Sequence, residues 1–250
     1  MTTGGPRTVG DLLATMRRRL ESMPKGEEAA GDFLATYLRT TEAVATAIAD
    51  GTFEDPGWVE RWDLVFADLY LAALDAHLAG GRPTRPWRLA FAGADARPPL
   101  LNVLLGVNAH INYDLPQALL AVISDADFLD PGTLARRRRD HERIDGILSS
   151  RVAAEDVEIS SHSVRTLLDR ALRPLNRLAS RRFLKEAREK VWVNTEALWR
   201  ARVTGEETYV ARLAELEVLS AAKIADLGAG HQVLLRLAVR GFGVLLPPEA

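Results

Sequence analysis

The chain has 250 residues, 47% hydrophobic and 26% charged, with a formal net charge of −2. This composition is that of a globular protein, long enough to bury roughly 75% of its unfolded surface without disulfide or metal support. The charge balance lacks the basic excess of a nucleic-acid binder, and the absence of cysteine excludes disulfides, thiolate nucleophiles and Cys-built metal sites.

Helix is expected almost throughout. Ala, Leu, Arg and Glu favour helix, apolar residues recur at three and four, and neither strand alternation nor hairpin turns are found. The first helix is expected over Thr8–Met23, with Val9, Leu12, Leu13, Met16 and Leu20 as its stripe. A second runs from about Glu27 to Asp50, carrying Phe33, Tyr37, Val44 and Ile48. A third starts at Asp55-Pro56, an N-cap followed by proline at the first helical position, and ends at His77-Leu78. Residues 80–98, broken by Gly80-Gly81, Pro83, Pro86 and Pro98-Pro99, are expected to be one long loop. Such a loop either covers a pocket or is a connector pinned by Trp87 and Phe91.

A fourth helix is expected over Leu100–Ser124, followed by a turn at Asp127–Gly132 and a fifth helix over Thr133–Val152. Further helices are expected over His162–Leu178, Arg181–Val203 and Glu206–Leu227. A final apolar piece, Gln232–Val239, leads to Leu245-Leu246-Pro247-Pro248. The expected architecture is all-α: residues 1–250 as a single-domain bundle of about eight helices. No apolar run approaches a membrane span and the N-terminus does not read as a signal peptide, so a cytoplasmic protein with no membrane partner is expected.

The fourth helix holds the candidate site. The stretch Leu100–Pro116 is apolar on nearly every side, as in a central helix, yet it carries Asn108, His110, Asn112 and Asp114. Unpaired burial costs about 1–3 kcal/mol per polar group, so all four need partners. His110 and Asp114 lie four apart on one face: a ligand pair for zinc, iron or manganese, or an internal salt bridge. Asn108 and Asn112 form a second pair on the other side. Gly106 permits close approach of a neighbour, and Pro116 removes a backbone hydrogen bond near Asn112. In the fifth helix, His141 and Asp145 repeat the four-residue step, and Asp140 leans inward in line with Ile144. A divalent metal on His110, Asp114, His141 and Asp145 is therefore one reading; a solvated charged flank is the other. On the third helix Asp68 and Asp75 either join the interior or pair with arginines. Arg136–Arg139 could take a phosphate, or pair with nearby acids. Arg188 and Trp192, four apart, suggest guanidinium–indole stacking.

The segment Leu105–Pro116, with its Asn-x-His-Ile-Asn-x-Asp-Leu-Pro pattern, resembles a bacterial family of unknown function; looser likeness continues at Asp140–Leu148 and Arg188–Trp192. The resemblance implies a helical fold and a polar site at His110, Asn112 and Asp114. The family usually carries asparagine where this chain has Asp145, which weakens the paired-metal reading.

Two functions follow. In the first, the protein is an enzyme of the cyclase or hydrolase type, acting on a small hydrophobic molecule in specialised metabolism. The catalytic candidates are then His110, Asp114, Asn112 and Asp140, with His110 as acid/base or ligand and Asp114 orienting it, while Asp140 and Asp68 add polar wall. In the second, it is a non-enzymatic ligand- or partner-binding protein whose polar cluster only fixes helix register. Nucleic acid is not an expected partner in either.

Overall fold

A computed structural model describes residues 8–159, 167–229, 241 and 243–248, with the backbone alone for Asp145, 148–159 and 167–185. His162, His231 and 232–239 lie outside these residues, as do the side chains of Asp145, Arg181 and Arg182. No strand occurs among the described residues, and the architecture is an all-α bundle.

α1 (Val9–Glu21) opens with a capping box in which Thr8 and Asp11 each accept the other's backbone N–H. Its Leu12 and Met16 are fully buried. A 3-10 turn (Glu28–Ala30) leads into α2 (Gly31–Ala49), which turns Phe33, Tyr37, Thr41 and Val44 inward at helical spacing. α3 (Pro56–Leu78) begins as expected, with the Asp55 carboxylate accepting the Trp58 N–H at 2.9 Å. Along it Trp58, Trp62, Phe66 and Tyr70 form a buried ladder of aromatic rings four residues apart.

The expected loop over 80–98 contains a helix, α4 (Arg85–Phe91). Pro86 sits in its first turn, where a missing N–H costs nothing. Trp87, Ala90 and Phe91 then follow the one-face period and are buried. Trp87 and Phe91 pin the stretch to the core, as expected, and they do so from a helix.

α5 (Pro99–Ala109), a π-turn (His110–Asp114) and α6 (Leu115–Val122) are one continuous central helix. α7 (Asp125–Leu129) occupies the expected turn before α8 (Pro131–Ile159). Where two helices were expected, α9 (Leu167–Thr204) is continuous, because Ala179-Ser180 supplies neither glycine nor proline to stop it. α10 (Glu206–Gly228) closes the bundle. α3 packs on α6, α9 on α6 and α10, and α4 on α10 and α5, so the central helix is surrounded and one core cluster runs through the described residues. Gly106 is needed for this closeness: a Cβ there would lie 2.6 Å from the Phe33 ring.

Candidate functional site

Pro116 dictates the local geometry. It cannot supply the N–H that a regular helix would direct at the Asn112 carbonyl, and the ladder widens so that the Leu115 N–H bonds the His110 carbonyl five residues back. Such π-insertions recur at functional sites. All five residues of the turn are buried.

On one side of the turn, His110 Nδ1 lies 3.0 Å from Asp114 Oδ2. The same oxygen accepts the Trp87 indole N–H at 2.8 Å. His110 and Asp114 are each 3% exposed, so no hollow opens onto them from outside. The imidazole lies flat on Phe66, with centroids 3.5 Å apart and planes at 6°. Tyr37, at 4.6 Å, and Phe33 meet it edge-on, and Tyr70 and Trp87 complete the box. Burial pushes the Asp114 carboxyl well above the usual carboxylate range, against the opposing pull of the Trp87 N–H. Burial likewise pushes His110 well below the usual imidazole range. The low-dielectric box thus favours a neutral pair over an ion pair. Asp114 Oδ2 is thus engaged by both the Trp87 indole N–H and His110 Nδ1. His110 Nε2, Tyr37 Oη and Tyr70 Oη are buried in the same box with no hydrogen-bond partner.

Sequence reasoning missed Asp63. This α3 carboxyl is 6% exposed, and its Oδ2 has no partner. Burial, aided by Glu60, pushes it up to about 7, and burial likewise raises the Tyr37 hydroxyl well above an ordinary phenol. The carboxylate selected on α3, Asp68, is exposed and lines no interior wall. Asp75 is also exposed and forms an ion pair with Arg19 at 2.6 Å.

Asp140 is fully buried, but its partners lie elsewhere. Its two oxygens accept the Glu54 and Asp55 backbone N–H groups at 2.8 Å each, and Arg143 at 2.5 Å. It anchors the turn between α2 and α3, and it is not brought to His110.

Asn108 and Asn112 face a third direction. Asn112 Nδ2 donates to Asn108 Oδ1 at 3.2 Å, and Asn108 Nδ2 donates to the Leu104 carbonyl at 2.8 Å. Asn112 Oδ1 accepts the Val244 N–H at 3.3 Å. Asn112 thus holds the C-terminal segment rather than the histidine.

The two histidine steps are not brought together as one ligand set. His141, 2% exposed, lies between Trp62 and Trp192 at 5.6 and 5.7 Å. Its ring is pushed well below the usual imidazole range by burial and by the Arg188 and Arg138 charges. The side chain of Asp145 lies outside the described residues. No group of three His, Asp or Glu suited to a metal occurs among the described residues. Arg188 stacks over Trp62 at 5.9 Å, not over Trp192, and donates to the His141 carbonyl at 2.6 Å. The basic run is engaged with acids: Arg137 with Asp55, Arg138 with Glu142, and Arg139 with Glu54.

The chain is thus an all-helical protein with a sealed histidine–aspartate pair inside an aromatic box. It belongs to DUF5995, a family of unknown function, whose model matches residues 9–228. No curated protein and no solved structure matches the chain. No helix among the described residues is long and apolar enough to cross a membrane.

Proposed function

We propose that the protein is an enzyme that moves a proton on a small, neutral, hydrophobic molecule, in a cyclisation or hydrolysis, with His110 Nε2 as the acid/base atom. The observation that carries this reading is the asymmetry of the imidazole. Nδ1 is held by Asp114, whereas Nε2 faces the box without a partner. A carboxyl group on one nitrogen fixes the ring and leaves the other nitrogen to work. Five aromatic rings around it exclude water, and an apolar guest would enter by parting them. Unsatisfied buried polar atoms cost about 1–3 kcal/mol each, so Nε2 and the Tyr37 and Tyr70 hydroxyls favour a guest with one or two oxygens. Asp114 and Trp87 act as positioning residues. Entry requires α4 to move, since Trp87 both walls the box and bonds Asp114.

The test uses short-chain p-nitrophenyl esters as apolar probes, with turnover and tryptophan fluorescence as readouts. The wild type is expected to bind and hydrolyse them. His110→Gln, which keeps a polar side chain, is expected to bind them and lose turnover. Exclusion of the probes from folded wild type, or equal turnover by His110→Gln, would overturn the reading.

The sealing itself favours a second reading. With both residues 3% exposed, the pair serves a non-enzymatic ligand- or partner-binding protein as a pin for the π-turn. On that reading His110→Gln loses stability, and the esters are never bound.

A further inference from the structure

Four buried or half-buried polar side chains of the bundle, Asn112, Lys190, Asn194 and Arg212, converge on the chain segment 243–248, and every bond they make to it is to its backbone. Asn194 is the centre. Its Nδ2 donates to the Val244 carbonyl at 3.0 Å, while its Oδ1 accepts the Leu246 N–H at 2.9 Å. One side-chain amide thereby pairs with two alternate residues of the segment, as a neighbouring strand would. Asn112 accepts the Val244 N–H, Arg212 donates to the Pro247 carbonyl at 2.6 Å, and Lys190 donates to the Gly243 carbonyl at 3.4 Å. Lys223 reaches the Gly241 carbonyl. With the segment in place Asn194 and Asn112 are 0% and 1% exposed, so the segment shields both amides from solvent and supplies hydrogen-bond partners to them.

The groove also selects side chains. A Cβ on Gly243 would lie 3.0 Å from the Ala187 Cα of α9 and 2.7 Å from Lys190 Cδ, so only glycine lets the segment lie this close. Leu246 is buried at 4% exposure, whereas Leu245, between two gripped residues, is 48% exposed. This in–out alternation is that of an extended peptide read by main-chain bonds and one side-chain pocket. The gripping residues Asn112, Lys190, Asn194 and Arg212 all fall within the family-matched 9–228, and the segment falls after it.

We infer that the groove between the π-turn, α9 and α10 is a binding site for an extended peptide of the pattern Gly-x-x-Leu-Pro, filled in this protein by its own residues 243–248. This site is independent of chemistry at His110. It touches the same π-turn through Asn112, so filling the groove steadies the turn two residues from the histidine.

The experiment frees the groove in the full chain. Gly243→Val with Leu246→Asp removes the close approach and the buried anchor without touching the groove. The probe is a fluorescein-labelled peptide of residues 241–250, and binding is read by anisotropy. The double variant is expected to bind the peptide at least about tenfold more tightly than the wild type, whose tethered segment holds the groove at high effective concentration. Adding Asn194→Ala is expected to cost about tenfold or more, and a probe peptide carrying Gly243→Val should not bind. A double variant that folds only with the peptide present also supports the site. A folded double variant that binds no more than wild type would overturn it, as would an unfolded one that the peptide does not restore.

Discussion

Asp114 and Asp140 are both buried aspartates on helices of one core, and they solve burial in opposite ways. Asp140 collects two backbone N–H groups and the Arg143 guanidinium, a donor set that sustains a full negative charge. Asp114 meets only an indole N–H and an imidazole, among aromatic rings, and burial drives it towards the protonated form. The sequence places the two in the same class of inward-leaning acid. The donors, brought from distant parts of the chain, decide that one is an anchor and the other half of a neutral pair.

The largest expected effect breaks the anchor. Asp140→Ala strands two buried N–H groups and leaves Arg143 with Glu54 alone; it should cost about 3–5 kcal/mol in urea denaturation. Asp140→Asn should cost about 2–3 kcal/mol, since it removes the charge from bonds that depend on it. Gly106→Ala presses a methyl group into Phe33 and should cost about 1–3 kcal/mol, with a changed near-ultraviolet circular dichroism signal from the displaced box. Asp114→Asn, which keeps the shape and the acceptor for Trp87, should cost less than about 1 kcal/mol. An Asp114→Asn loss equal to that of Asp140→Asn would erase the contrast.

Asp63 sharpens the comparison through pH. Its folded-state pKa is raised to about 7, above the ordinary carboxylate value of about 4. Its contribution to stability is fully present below about pH 4 and is lost as pH rises towards 7, at up to about 1.4 kcal/mol per pH unit. Asp63→Asn should flatten that part of the stability profile. A variant with the wild-type slope between pH 4 and 7 would show that the carboxyl is already ionised in the folded state.

Much of the fold was legible because its signals are local. Asp55-Pro56 marks the start of α3 through a cap three residues long, and the apolar stripe of α1 needs no tertiary knowledge. The His110–Asp114 contact was legible for the same reason, being a four-residue step. Its third member was not: Trp87 is 27 residues away in a stretch read as loop, where Pro86 was taken as a breaker although it stands in a first turn. The aromatic ladder at 58, 62, 66 and 70 was a readable four-residue period, and it would have pointed to the neighbouring Asp63. Asp68 lies about 200° round the helix from Phe66, on the solvent side. The inward lean of Asp140 and the Asn108–Asn112 pair were legible from spacing, but their other partners, backbone groups of a turn and of the segment 243–248, were not, because spacing gives a side chain's direction and not what it meets.

The most direct test is histidine-selective nitrogen-15 NMR of His110 between pH 5 and 8. The structure predicts a neutral imidazole at pH 7, with one protonated and one unprotonated ring nitrogen, and a titration displaced below the usual imidazole range. A signal with both nitrogens protonated at pH 7 would mean an ion pair with Asp114, and would contradict the neutral pair on which the proposed acid/base role rests.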